Sequence, residues 1–434
     1  MANQSIIVIG AGIAGLTAAY RLKKAGHDVL VLDQNNYVGG RMANVDWEGF
    51  QVDIGAKFVT TADKSLTGMV DEMGLTDQLV KSEEGLTITI YRDGKLHSAN
   101  FLSIPSYFGW SGVSLKARLA MLKLAPYFLN AGKLENVYHL EQAKGPDLDV
   151  TFEQFFKEKI NEEMFEFWAI PMFETMCAYK GGDVSQKAFV ALMSSYLNAD
   201  SVTFREGIGV LPNAFAKHLN VELTSRVSKV AMLPDGSGVK VTYTSSGNTK
   251  TVDADRLVMA VPGNHVLPLL EDPRPAWQEF FPKVAYSTGA LHYHIAETDY
   301  QPPVKATFVP RSTGMAINCI TFDKFKDGRW LMLTDPSVYT FDMHADAEVL
   351  AARAREVMAT VFPPLKGAFQ AQRIFKWQDK LPTFRPGYLD AMKHFWENPQ
   401  ESPVFFCGDY FAGPSTGGAL YTGQECAERV LRTL

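Results

Sequence analysis

Three glycines and an aspartate open the set of residues whose types and spacing could do chemistry. Gly10, Gly12 and Gly15 form G-x-G-x-x-G around Ile13 and Ala14, and Asp33 follows the next apolar run, with Gln34 beside it. In such a turn one glycine permits a tight reversal. The next removes a side chain so that a pyrophosphate can approach the backbone, and the last lets a helix pack on a strand. The helix N-terminus offers N–H groups and a positive dipole end to phosphate, and the aspartate can accept hydrogen bonds from a ribose. The chemistry implied is capture of a dinucleotide. Gly39, Gly40, Arg41 and Met42 then add paired glycines and a guanidinium, a group that makes charge-assisted contacts with phosphate.

Each of these residues needs an element to hold it. Ile6 to Ile9 reads as a buried parallel strand. Leu16 to Lys24 reads as a helix with Gly26 just past its end. Val29 to Leu32 reads as a second buried strand that delivers Asp33. Near the other end, Val404 to Asp409 is a buried strand closing on Gly408 and Asp409. A loop, Gly413 to Gly418, and a helix, Ala419 to Leu431, follow it. Between them, Trp47 to Phe58 reads as a strand and a glycine turn, Asp63 to Met73 as a helix capped by Asp63, and Leu86 to Tyr91 as the start of a hairpin. Ser114 to Asn130 reads as one helix with a wide apolar face and a kink at Pro126. Thr151 opens a further helix, and from Phe101 to Trp168 the chain is rich in large apolar side chains, read mainly as core, part of which would roof an apolar cavity. Contact of Ser114 to Asn130 with a membrane is a minor alternative.

Other constellations are thinner. His292 and His294 share one face of a strand, but no third ligand stands out, so they read as a core pair and no metal is expected. The four cysteines contain no C-x-x-C pair and read as reduced, buried thiols. A formal net charge of −6 gives no basic surplus for a nucleic-acid partner. No apolar run is long enough for a transmembrane helix, and the first strand begins too soon for a signal peptide. A cytoplasmic location is expected.

The G-G-R-M segment after Asp33 resembles the second fingerprint of the flavin amine oxidase superfamily. This group includes monoamine oxidases, L-amino-acid oxidases, protoporphyrinogen oxidases and carotenoid desaturases. Weaker likenesses run along the chain: Asp53-Ile54-Gly55-Ala56 to the family's D-x-G-A beside the flavin, Phe204 to Leu211 to its return into the cofactor domain, and Leu381 to Gly387 to a strand and turn. The resemblance implies an α/β fold: an FAD-binding Rossmann-like domain with an interleaved α+β substrate domain, as in monoamine oxidases. It divides the chain into a discontinuous FAD-binding part (1–95, 205–285 and 372–434) and a substrate part (96–204 and 286–371).

By that resemblance FAD would be held non-covalently. The binding set is Gly10, Gly12, Ile13, Ala14, Gly15, Asp33, Gln34, Gly39, Gly40, Arg41, Met42, Gly55, Ala56, Lys57, Phe58, Val227, Gly408, Asp409, Gly418 and Ala419. Arg41 would meet the pyrophosphate, Val227 the adenine and Asp409 the ribityl chain. The last helix would aim its N-terminus at the flavin edge where charge collects on reduction. The reaction implied is hydride removal from an organic small molecule, bulky and apolar or an amine, with O2 or another acceptor reoxidising the flavin. Two family features are missing. Ala285 to Ala296 lacks the lysine that amine oxidases keep on that strand, and Ser415 stands where one of two substrate-framing tyrosines would be. Phe384, Tyr388 and Tyr421 are candidates for the substrate side, and no side chain is assigned as acid or base. Three rivals are a protoporphyrinogen oxidase- or desaturase-like dehydrogenase, a nicotinamide dehydrogenase, and a non-catalytic protein like the Rab GDP-dissociation inhibitors. Asp33, Arg41 and Asp409 together argue against the last. The oligomeric state is open.

Overall fold

A computed structural model describes residues 3–81, 87–100, 103–131, 138–144, 150–196 and 200–434. Leu86 and Phe101 lie outside them. The N-terminal strand β1, Ser5–Ile9, is an apolar run whose last four residues are buried. Such a run suits a strand covered on both faces. Among the described residues it lies in a five-stranded parallel sheet. Its neighbours are β2 (Asp28–Leu32) and the strand Arg256–Met259, flanked by Asn220–Glu222 and Val404–Phe406.

Helix α1, Ile13–Lys24, begins earlier than the expected Leu16, because Gly12 already serves as its N-cap. It ends at Ala25, followed by Gly26 at φ +97°, with Arg21, Lys23 and Lys24 in the last turn. Those cations oppose the negative end of the helix dipole. The C-terminal helix, Thr416–Leu431, packs on α1 at Gly423. A Cβ there would come within 2.2 Å of the Ala14 carbonyl oxygen, so only glycine allows this approach.

A seven-stranded sheet forms the second layer. Two strands come from segments assigned by sequence to the dinucleotide-binding part. Thr87–Arg92 pairs with Lys95–Asn100 and, across a crossover, with Ala306–Phe308. Phe369–Trp377 pairs with Gly289–Glu297. The sheet thus draws strands across residues 95 and 371, since pairing between distant segments decides membership and leaves no local pattern. The stretch from Trp47 also differs from expectation: Asn44–Trp47 and Phe50–Asp53 make a hairpin before the glycine turn at Gly55. Helix Ala347–Val361 covers the large sheet with Leu350, Ala354, Val357 and Met358, and Asp346 caps it.

The helical layer supplies the third part. Instead of one helix kinked at Pro126, the chain runs Leu115–Ala120, a 3-10 turn Met121–Leu124, then Ala125–Ala131. The break precedes Pro126 because its ring excludes the Leu122 carbonyl from a helical bond. Thr151 and Gln154 form a capping box. Phe152, Phe155, Phe156, Phe165 and Phe189 then pack on one another, fully buried. Arg311 ties this layer to the sheet. It pairs with Glu166 at 2.9 Å and Glu153 at 3.2 Å and lies over the Phe165 ring.

His292 and His294 are buried in the large sheet with ring centroids 4.1 Å apart. The His292 Nε2–H donates to Gln372 Oε1 at 2.8 Å, and His294 Nε2 bonds Thr334 Oγ1 at 3.1 Å. Among the described residues neither Nδ1 has a partner. Burial pushes His292 down to about 4 and His294 well below the usual range. Both rings stay neutral in the fold, while the unfolded chain protonates them near pH 6.5. Their stability contribution is therefore complete above that pH and is lost as the pH falls toward 4. Urea unfolding of wild type should lose about 3 kcal/mol more over this range than a His292→Gln variant does. Parallel pH profiles would contradict the assignment.

Candidate active site

The glycine loop is built by close contacts. Gly10 N–H donates to Leu32 O at 2.8 Å, at φ +108°, and a Cβ on it would meet Ala260 O at 2.6 Å. A Cβ on Gly15 would fall 2.0 Å from Gly10 O. Gly12 differs: its φ of −71° and ψ of 170° suit any residue, and an added Cβ would meet nothing within 4 Å. Among the described residues no side chain caps α1 there. Gly39 bridges to Gly12, its N–H donating to Ala11 O at 2.8 Å. A Cβ on Gly40 would meet only the Gly12 Cα, at 3.7 Å. Ile13 and Ala14 are buried as the first turn of α1. The two glycine segments thus line one open backbone cradle, and an uncapped helix end with a guanidinium nearby fits a dinucleotide pyrophosphate.

Asp33 is buried beneath this cradle. Its Oδ2 accepts from Ala11 N–H at 2.6 Å and its Oδ1 from Asn35 N–H at 2.8 Å, and burial pushes its carboxyl up. The carboxylate therefore clamps the glycine loop, while each oxygen keeps a lone pair for a hydroxyl. Gln34 is exposed next to it. Ser225 N–H donates to the Asp33 carbonyl at 2.7 Å, which brings Val227, on Ser225–Met232, close to the same end of the sheet.

The two strongest motifs meet at one ion pair. Arg41 Nη1 lies 2.8 Å from Asp409 Oδ2, donates to Lys380 O at 3.0 Å, and the guanidinium sits over the Tyr286 ring. Tyr286 O–H points at Asp409 Oδ1, 3.4 Å away, and accepts from Gly263 N–H. Burial works against the arginine's charge, but Asp409 and Tyr286 outweigh it and hold the guanidinium more firmly protonated than usual. Met42 is buried behind it, and Ala56 N–H donates to Arg41 O at 2.8 Å, so Gly55 and Ala56 run alongside. Lys57 pairs with Asp323 at 3.5 Å, and Phe58 is half-buried. Gly408 N–H donates to Thr422 Oγ1. The last helix begins at Thr416, earlier than expected, because Ser415 caps it through Gly418 N–H at 2.9 Å, with Ala419 in the first turn.

The three substrate-side candidates have protein partners of their own. Phe384 is sealed in the core. Tyr388 is buried and donates its O–H to Tyr410 O at 2.9 Å. Tyr421 bonds His139 Nε2 at 2.9 Å and stacks on Tyr138. Tyr388 thereby lies next to the Asp409 strand end, and Tyr421 lies in the first turns of the last helix. Sequence reasoning missed Tyr286 and Lys380. The Lys380 Nζ is 3.5 Å from where a Gly289 Cβ would be, and 3.9 Å from Asp335. A lysine therefore does reach the strand that carries none of its own. The only sequence signal is the small residue Gly289, which leaves room for it.

The glycines allow a separable test. With the pyrophosphate in the open space at Gly12, Gly12→Val should fold and melt like wild-type apoprotein yet retain no flavin, since an added Cβ meets no protein atom there. Gly15→Ala should fail to fold. Flavin absorbance and thermal melting read both, and a yellow Gly12→Val protein would show that the open space at Gly12 is not where the pyrophosphate binds.

Comparison with known proteins agrees with this geometry. The family model described as flavin containing amine oxidoreductase matches residues 13–431. Protoporphyrinogen oxidase 2 of Arabidopsis thaliana is 22% identical, over 100% of this chain and 95% of its own. The 15-cis-phytoene desaturase of Arabidopsis thaliana is 25% identical, over 98% of this chain and 80% of its own. A solved putrescine oxidase structure superposes with a TM-score of 0.79 at 20% identity, covering 99% of each chain. The chain belongs to the flavin-containing amine oxidoreductase family, and it is an FAD-dependent oxidoreductase.

Proposed function

We propose that the protein oxidises a bulky organic substrate, an apolar ring, a polyene or a large amine, and passes the electrons to O2 or another acceptor. When bound, FAD supplies the electron sink, with N5 as hydride acceptor. The chain's own residues bind and orient. The Gly12 and Gly40 cradle receives the pyrophosphate, Asp33 the ribose, and the Arg41–Asp409 pair the linker between phosphate and ring. The Ser415-capped helix offers its positive end to the reduced ring.

One observation carries the preference for a bulky substrate. Tyr388 is buried, and Tyr421 stacks on Tyr138 and bonds His139, so both rings are taken up by protein rather than offered to a small amine. The helical layer is apolar as well: Phe167, Met172 and Met193 are partly buried against the aromatic core. Relatives named for a protoporphyrinogen and for phytoene match along nearly the whole chain. A second reading, oxidation of a small amine, is favoured by Lys380. Its ammonium lies against the Gly289 strand in a largely buried pair with Asp335.

Anaerobic stopped-flow bleaching of the flavin against a mixed panel tests the choice. Porphyrinogen-like rings, polyenes or large apolar amines should reduce the flavin at least tenfold faster than benzylamine or short alkylamines. Rapid reduction by benzylamine, lost in Lys380→Met, would establish the second reading instead.

A further inference from the structure

The helical layer carries an outward face that the core does not use. Leu115, Leu119, Leu122 and Leu129 are 53%, 47%, 66% and 82% exposed, and Ile104 is 74% exposed on the short helix before them. The opposite face is inward: Ala117, Ala120 and Leu124 are buried. Leu115, Leu119 and Leu122 follow helical spacing, so they form a stripe rather than scattered singles. Isolated exposed leucines are ordinary, but a contiguous stripe marks a contact surface.

The charge around the stripe says what it contacts. Residues 103–130 contain Lys116, Arg118 and Lys123 and no aspartate or glutamate, in a chain whose formal net charge is −6. Lys116 and Lys123 are exposed. Lys123 Nζ donates to Ile160 O at 3.3 Å and Arg118 donates to Phe108 O, so both stems are anchored beside the leucines. On the helix packed beside Leu115–Ala120, Glu163 is taken up by Arg92 and Ser114, and Glu162 pairs with Lys157 at 3.9 Å. Leucines on a helix face flanked by cations are the composition of an interfacial helix lying on an anionic bilayer. No described helix is long and apolar enough to cross a membrane, so the contact is with its surface.

We propose that the face of residues 104–129 docks the protein on the surface of an anionic lipid bilayer, leucines among the acyl chains and lysines at the headgroups. This holds whatever the substrate. The full-length protein is spun with vesicles of phosphatidylcholine, with and without about 30% phosphatidylglycerol, across a salt series. Wild type should pellet with the anionic vesicles, and less so as salt rises. Leu119→Ser/Leu122→Ser should bind at least tenfold more weakly with unchanged melting temperature and flavin content. Lys116→Gln should weaken binding only where phosphatidylglycerol is present. Wild type staying in the supernatant, or the leucine variant pelleting equally, would overturn the proposal. So would a wild-type dimer in sedimentation velocity that the leucine variant dissolves while neither binds vesicles, since the face would then join two copies.

Discussion

The Arg41–Asp409 pair is the contact on which the site depends. It joins the second glycine segment at one end of the chain to the strand end at the other, across 2.8 Å. Asp409 is almost wholly buried and Arg41 largely so. Removing one partner from such a pair strands a charge in low dielectric, at a cost of about 3–5 kcal/mol. Tyr286 and the Lys380 carbonyl are held to the same pair. The loop of Gly39 and Gly40, the turn after Gly408 and the segment before Leu381 are thereby fixed relative to one another.

The second constraint is steric. At Gly10, Gly15 and Gly423 an added methyl group would run into backbone oxygen, so these glycines set how closely strand, helix and helix approach. At Gly12 nothing opposes it. The same amino acid thus serves two ends. At three of these glycines backbone fills the space a side chain would need, and at the fourth that space is open.

What was legible in the sequence is what is local. The opening strand, glycine turn, helix, strand and aspartate need only neighbouring residues to be recognised, as does the closing G-D strand and helix. Helix ends are less legible, because Gly12 and Ser415 cap their helices and start them ahead of the apolar pattern. Distant relations were not legible. Strand pairing carried Thr87–Arg92 and Phe369–Trp377 into the large sheet. Lys380 reached Gly289 from a separate segment, and Tyr388 and Tyr421 turned to partners that no spacing announces. Arg41 and Asp409 were each expected to touch a cofactor, and their contact with each other came only from the fold.

The order in which these parts are made adds a consequence. Val404–Phe406 is an edge strand of the parallel sheet, and the helix after it seats on α1 through Gly423. During synthesis the glycine cradle emerges well before Asp409 and its helix. Until then Arg41 has no carboxylate at its side and the outer face of Arg256–Met259 has no strand to pair with. A growing chain therefore carries an unsealed sheet edge and an uncompensated guanidinium on the ribosome. Both are features that chaperones shield and that invite misassembly.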